Sequence, residues 1–245
     1  MEAAQTIREA VAEVARLRRE AEADGALARA VAEVKRVQAQ RFAGTYADLL
    51  ASGPHAAAAR FFLEELYSDK DFGERDAQFS RIAGAIERLF PQQVAQTAVS
   101  LAQLHALTER LDHALAHAWL HHGAADTATR YALAWRAVGQ RAGREAQLAN
   151  VLDIGDEMVR LTRAPGLRLM LKMMRGPAAA AGLSALQHFL ETGFDTFAAM
   201  AKRRDGAESF LRTVRERETA LIVMLFEAPL VACETGLARI LGQAR

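Results

Sequence analysis

His105, Glu109, His113, His117 and His121 recur every four residues in a stretch free of proline and glycine. At about 3.6 residues per turn, that spacing stacks their side chains along one slowly drifting helix face. Neutral imidazoles one turn apart can share a divalent ion, which makes His113, His117 and His121 candidate ligands for zinc, nickel, copper or iron. Such a site needs a further donor from elsewhere in the chain. Neither H-E-x-x-H nor the Glu-x-x-His pairs of di-iron bundles occurs. The plainer alternative is a solvated polar face with one or two core histidines bonded to backbone. His105, in LAQLHAL, also suggests the proximal histidine of a globin, although the haem-attachment motif C-x-x-C-H is absent. No cofactor follows from the rest of the sequence, so a divalent transition metal and haem are the two alternatives to none.

A second cluster is basic. Arg160, Arg163, Arg168, Lys172 and Arg175 occur with no acidic residue between Met158 and Leu190. On a helix from Gly166, Leu167, Met170, Leu171 and Met174 share one face, and Arg168, Lys172 and Arg175 the other. That pattern fits anionic lipid, a phosphate ligand or an acidic partner, or a core helix with a solvated outer face. The acidic residues Asp69, Asp71, Glu74 and Asp76 fail as a calcium loop, because counting from Asp69 puts Gly73 fifth and Ser80 twelfth. Helix capping by Asp71 and Glu74 accounts for them. Cys233, beside Leu230, Val231 and Ala232, reads as a buried, inert thiol. Without a G-x-S-x-G elbow or a phosphate-binding glycine loop, the sequence leans away from an enzyme.

The third candidate is aromatic. Helical spacing puts Ala59, Phe62, Leu63 and Leu66 on one side and Phe61 on the other, beside Glu64 and Glu65. Either Phe72 folds back on Phe61 to make a corner, or Phe61, Glu64 and Glu65 are an exposed contact site.

The elements that must position these residues are helices. Apolar stripes run from Ile7 to Ala21 and from Leu27 to Leu50, broken at Asp24-Gly25 and at Ser52-Gly53-Pro54. Pro54 opens a helix carrying Ala56 to Tyr67, and another runs from Asp71 to about Phe90. Pro91 to His122 contains no break, allowing a helix of about 45 Å. Further helices are expected at Thr127 to Gln140, Arg144 to Arg163, Gly166 to Arg175, Ala178 to Met200, Ala207 to Ala228 and Pro229 to Gln243. No alternating run makes a strand. The expectation is an all-α bundle of about nine or ten helices without a sheet: a hairpin over 1–52 and a bundle over 53–245, folding as one cooperative domain.

Phe61 to Tyr67 reads FFLEELY and is followed by SDKDFGERDAQF at Ser68 to Phe79. With the leucines of Leu101 to Asp112, MRGPAAAAGLSALQHFLETGF at Met174 to Phe194 and RETALIVMLF at Arg217 to Phe226, this resembles an uncharacterised bacterial family, the FFLEELY motif proteins. The resemblance covers most of the chain from about Tyr46. It implies kinship and brings no activity.

Composition sets the outer bounds. Of 245 residues, 51% are apolar and 25% charged, the balance of a folding chain. The 31 basic and 30 acidic residues give no long-range attraction for nucleic acid. One cysteine excludes an intrachain disulfide and points to a reducing, cytoplasmic setting. MEAAQTIREAVAEVARLRRE lacks the apolar run of a secretory signal. Thr219 to Ala232 falls short of the ~20 residues a bilayer demands and carries Glu227 and Pro229, so it reads as buried helix rather than a transmembrane segment. The functional expectation is a non-enzymatic helical binding or protein-interaction module, whose N-terminal helices could pair with a protein partner or a second copy. The alternative is a histidine-ligated metal- or haem-binding protein.

Overall fold

In a computed structural model, the first helix is α1 (Glu2–Ala23), and it buries Ala4, Ile7, Ala10, Val14, Leu17 and Ala21, one stripe at helical spacing. The structure describes residues 2–66, 70, 72–123, 126–204 and 206–244. Asp24 caps α2 (Gly25–Thr45): its carboxylate accepts from the N–H groups of Ala26 and Leu27 at 2.8 and 3.3 Å. Tyr46 breaks the path, and α3 (Ala47–Ala51) follows. Then come α4 (Ala56–Glu65), α5 (Gly73–Leu89) and the 30-residue α6 (Gln92–His121). Asp126 caps α7 (Thr127–Val138), which Gly139 ends at a φ of 64°. The chain continues through α8 (Arg141–Thr162), α9 (Leu167–Met173), α10 (Arg175–Ala180), α11 (Ser184–Ala201), α12 (Gly206–Glu227) and α13 (Leu230–Gln243).

The all-α expectation holds: the described residues form thirteen helices and no strand. The count exceeds nine or ten in part because two expected runs are divided, Leu27 to Leu50 at Tyr46 and Ala178 to Met200 at Gly182, whose φ of 66° takes the chain out of the helical region. Pro54 sits in the turn before α4 instead of opening it. The capping role read for Asp71 lies outside the described residues. Glu74, its expected counterpart, accepts from the Gln78 amide at 2.9 Å, because both side chains lie one turn apart on α5.

Three apolar clusters surround α6. Ile7, Val14, Ile86 and Val99 join α1, α5 and α6. Val34, Trp119, Tyr131, Leu225 and Leu237 join α2, α6, α7, α12 and α13. Phe42, Phe62, Leu152, Phe197 and Phe210 join α2, α4, α8, α11 and α12. Each cluster includes residues from within 1–52, and α1 packs mainly on α5 and α6. Among the described residues, no helix is long and apolar enough to cross a membrane.

Candidate functional site

One face of α6 lines a partly open cavity. Val94, Thr97, Leu101, His105, Thr108 and Asp112 follow one another at three- or four-residue steps, so a single stripe of the helix forms the wall. The stretch from Val94 to Asp112 is roughly 27 Å long at ~1.5 Å per residue. The opposite walls come from Phe79, Ile82 and Ile86 on α5, Val151 and Met158 on α8, and Leu186, Phe189 and Phe194 on α11. Leu167 and Leu171 of α9 close the apolar side, while Lys35 and Gln38 of α2 stand at the other end. The free space is about 200 Å³.

The two ends differ in chemistry. From Val94 to Leu104 the lining is almost wholly apolar. Beyond Leu104 it is polar and internally bonded. Lys35 Nζ donates to Glu109 Oε1 at 2.7 Å, and the Gln38 amide donates to Asp112 Oδ1 at 2.5 Å. Gln147 donates to Thr108 Oγ1 at 2.8 Å and accepts from Arg144 at 3.1 Å. The Arg144 guanidinium lies 3.5 Å from Asp112 and 4.4 Å from the Trp135 ring centroid. Burial pushes the Asp112 carboxyl above the usual carboxylate range against the pull of Arg144.

Asp76 marks the junction. Its Oδ2 accepts from Arg18 at 2.7 Å and lies 2.9 Å from His105 Nε2. Burial alone would raise its pKa, but the His105 bond and the charges of His105, Arg18 and Arg75 hold the carboxyl below its ordinary value. Arg75 lies between two rings, 4.0 Å from Phe72 and 4.6 Å from Phe189, and donates to the Glu65 carbonyl at 3.0 Å. An imidazole oriented by a carboxylate can take up a proton. Yet the hydroxyls in this wall are Thr97 and Thr108 alone, and no thiol lines it, so the described lining offers a binding surface before it offers a nucleophile.

The sequence candidates fall in different places. His105 lines the cavity with Nε2 turned to Asp76, so a haem iron would have to displace that bond or take Nδ1. His113 and His117 sit edge to face at 4.8 Å, and the carboxylate that joins them is Glu20 of α1, not His121, which lies beyond the cluster near the end of α6. Phe61 is 7% exposed, which corrects its reading as an open anchor. Its cover is not Phe72 but Phe189, stacked at 5.9 Å, with Gly193 leaving room for the ring. Of its neighbours, Glu64 is exposed and Glu65 meets Arg75 at 3.6 Å. Arg168 pairs with Asp195 at 2.9 Å and Arg175 with both oxygens of Glu191, so two of the three basic residues Arg168, Lys172 and Arg175 are engaged by α11. That pairing holds the Glu191 carboxyl down at about 2. Cys233 is buried, and burial raises its thiol pKa, which keeps it protonated and unreactive.

What the sequence reading missed is the cavity itself. Its one linear signal is the α6 stripe, in which apolar positions give way after Leu104 to His105, Thr108, Glu109 and Asp112 on the same face.

A model of the protein family described as Domain of unknown function (DUF8198) matches residues 17–230. No curated protein and no solved structure matches the chain.

Proposed function

The chain belongs to the DUF8198 family, and from its cavity we propose that it is a non-enzymatic binding protein enclosing an elongated, mostly apolar small molecule with an uncharged hydrogen-bonding end. Within that family we read it as one of the bacterial FFLEELY motif proteins, working in the cytoplasm with its single cysteine reduced.

The observation that carries this reading is one continuous space with an apolar end and a polar end. Small-molecule sites are mostly apolar clefts with a few placed polar groups, and a space of about 200 Å³ with this division of lining has that character. The volume exceeds the ~150 Å³ that holds one benzene ring, and the apolar wall from Val94 to Leu104 extends about 15 Å along α6.

The polar end selects the head group. Lys35 is paired with Glu109, Asp76 with Arg18 and His105, and Asp112 with Gln38 and Arg144. A fully charged head would have to break one of these pairs and leave a buried charge alone. A hydroxyl or amide can join Thr108, Gln147 or His105 without doing so. The test is displacement of a neutral solvatochromic dye, Nile red, by an alcohol, a carboxylic acid and an amine of equal chain length. The alcohol should displace best; preference for either charged chain would overturn the head-group assignment.

One observation favours an apolar surface as the ligand's source. On α9, Leu167 and Leu171 face the cavity while Leu169 and Met173 are 62% and 63% exposed, so one short helix touches both ligand space and solvent.

A further inference from the structure

We propose that Glu20, His113 and His117 form a zinc site that clips the C-terminal turn of α1 to the C-terminal third of α6. One ligand atom from each residue lies within 4.8 Å of the others. His113 and His117 are one helical turn apart on α6, and Glu20 lies across the α1–α6 contact in the last turn of α1. The three therefore come from two elements already held together by packing.

The second observation is at His113. Its Nε2 is buried and has no hydrogen-bond partner, which is costly for an imidazole nitrogen in a protein interior. In the Nδ1–H tautomer this nitrogen carries a lone pair, and a metal ion bound to it would satisfy that lone pair directly. Glu20 Oε2 accepts from Arg16 one turn earlier at 2.9 Å, which orients the carboxylate and leaves its other oxygen for the ion.

The donor set is two imidazole nitrogens and one carboxylate oxygen, which suits zinc over calcium or magnesium. Bonds of ~2.0–2.2 Å place tetrahedral donors roughly 3.4 Å apart, so the triangle must tighten by up to about 1.4 Å on binding. Glu20 and His117 are exposed, and their side chains can rotate to close it. A water completes the fourth position on the solvent side. This site is separate from the cavity, and its test is independent of any organic ligand.

The experiment is calorimetric titration with zinc of the metal-free full chain and three variants: His117→Ala, Glu20→Gln and His121→Ala. Altering only the residues that orient a ligand costs about 10–100-fold in affinity, so losing a ligand itself should cost at least tenfold. The parent should bind one zinc, His117→Ala and Glu20→Gln should weaken it tenfold or more, and His121→Ala should leave it unchanged. Glu20 and His117 are exposed, so both variants should fold, and circular dichroism checks this. Unchanged affinity in Glu20→Gln would mean a surface histidine pair only and would overturn the three-residue site. So would loss of binding in His121→Ala, or no saturable binding in the parent.

Discussion

Asp76 Oδ2 stands 2.9 Å from His105 Nε2 and 2.7 Å from an Arg18 nitrogen, so one carboxylate ties α1, α5 and α6 together where the cavity turns from apolar to polar. Burial works against its charge, but its partners win and its pKa in the folded state is lowered. A lowered carboxyl contributes stability that is present above its unfolded value, about 3.9, and is lost as pH falls from there through the folded value. Asp76→Asn should cost about 1–3 kcal/mol at neutral pH, the range for a buried donor left without its partner. It should also make the loss of stability below about pH 4 shallower. Urea unfolding of parent and variant between neutral and acid pH measures both; an unchanged acid slope would contradict the assignment.

Phe61 supports the wall rather than a partner. It stacks on Phe189, which lines the cavity, and meets Phe62 edge to face at 6.2 Å. Phe61→Ala should lose about 3–5 kcal/mol, as buried aromatic truncations do. Glu64→Ala, on the exposed side of α4, should stay within about 0.5 kcal/mol. Urea denaturation separates the two, and a surface-sized effect at Phe61 would return it to the role of a contact residue.

Gly44 lets α2 pack tightly against α13. A Cβ there would sit 1.8 Å from the Ile240 carbonyl oxygen and 2.7 Å from its carbon, backbone atoms that cannot rotate away. Gly44→Ala must push the helices apart, at a cost of about 1–3 kcal/mol or more. Gly176→Ala, with nothing within 4 Å and a helical position, should be neutral or slightly stabilising. Thermal melts of the pair check this; equal melting temperatures would rule out the tight α2–α13 contact.

Replacing Leu169 and Met173 together by glutamate tests α9 as the route from an apolar surface. Both side chains are exposed, so stability should shift by no more than about 0.5 kcal/mol each. Transfer of Nile red from lipid vesicles containing anionic lipid to the protein should slow, while equilibrium binding from water stays the same. Equal transfer rates would remove α9 from the pathway.

Helices were legible where local chemistry decides them. Asp24 before Gly25 and the unbroken run from Gln92 to His121 mark helices through capping and the absence of a breaker, whereas the helix expected from Thr127 to Gln140 extends one residue past the Gly139 that ends it. The half-site on α6 was legible for the same reason: His113 and His117 share a face by spacing alone. Glu20 was not, because only the packing of α1 on α6 brings it there. Distant contacts hid the rest. Phe61 finds Phe189 on another helix, Glu191 and Asp195 neutralise arginines that look unopposed in their own stretch, and Lys35, Gln38 and Thr108 border one cavity only because α2 packs on α6.

A Nile red fluorescence titration of the parent beside Leu101→Trp, which fills the apolar half from the middle of the α6 stripe, shows whether the cavity is a ligand site. With both proteins shown helical by circular dichroism, the parent should bind the dye saturably at one per chain, and Leu101→Trp should bind it at least about tenfold more weakly, a difference of ~1.4 kcal/mol. Non-saturable binding by the parent, or equal affinity in the two proteins, would mean that the cavity holds no ligand of this kind.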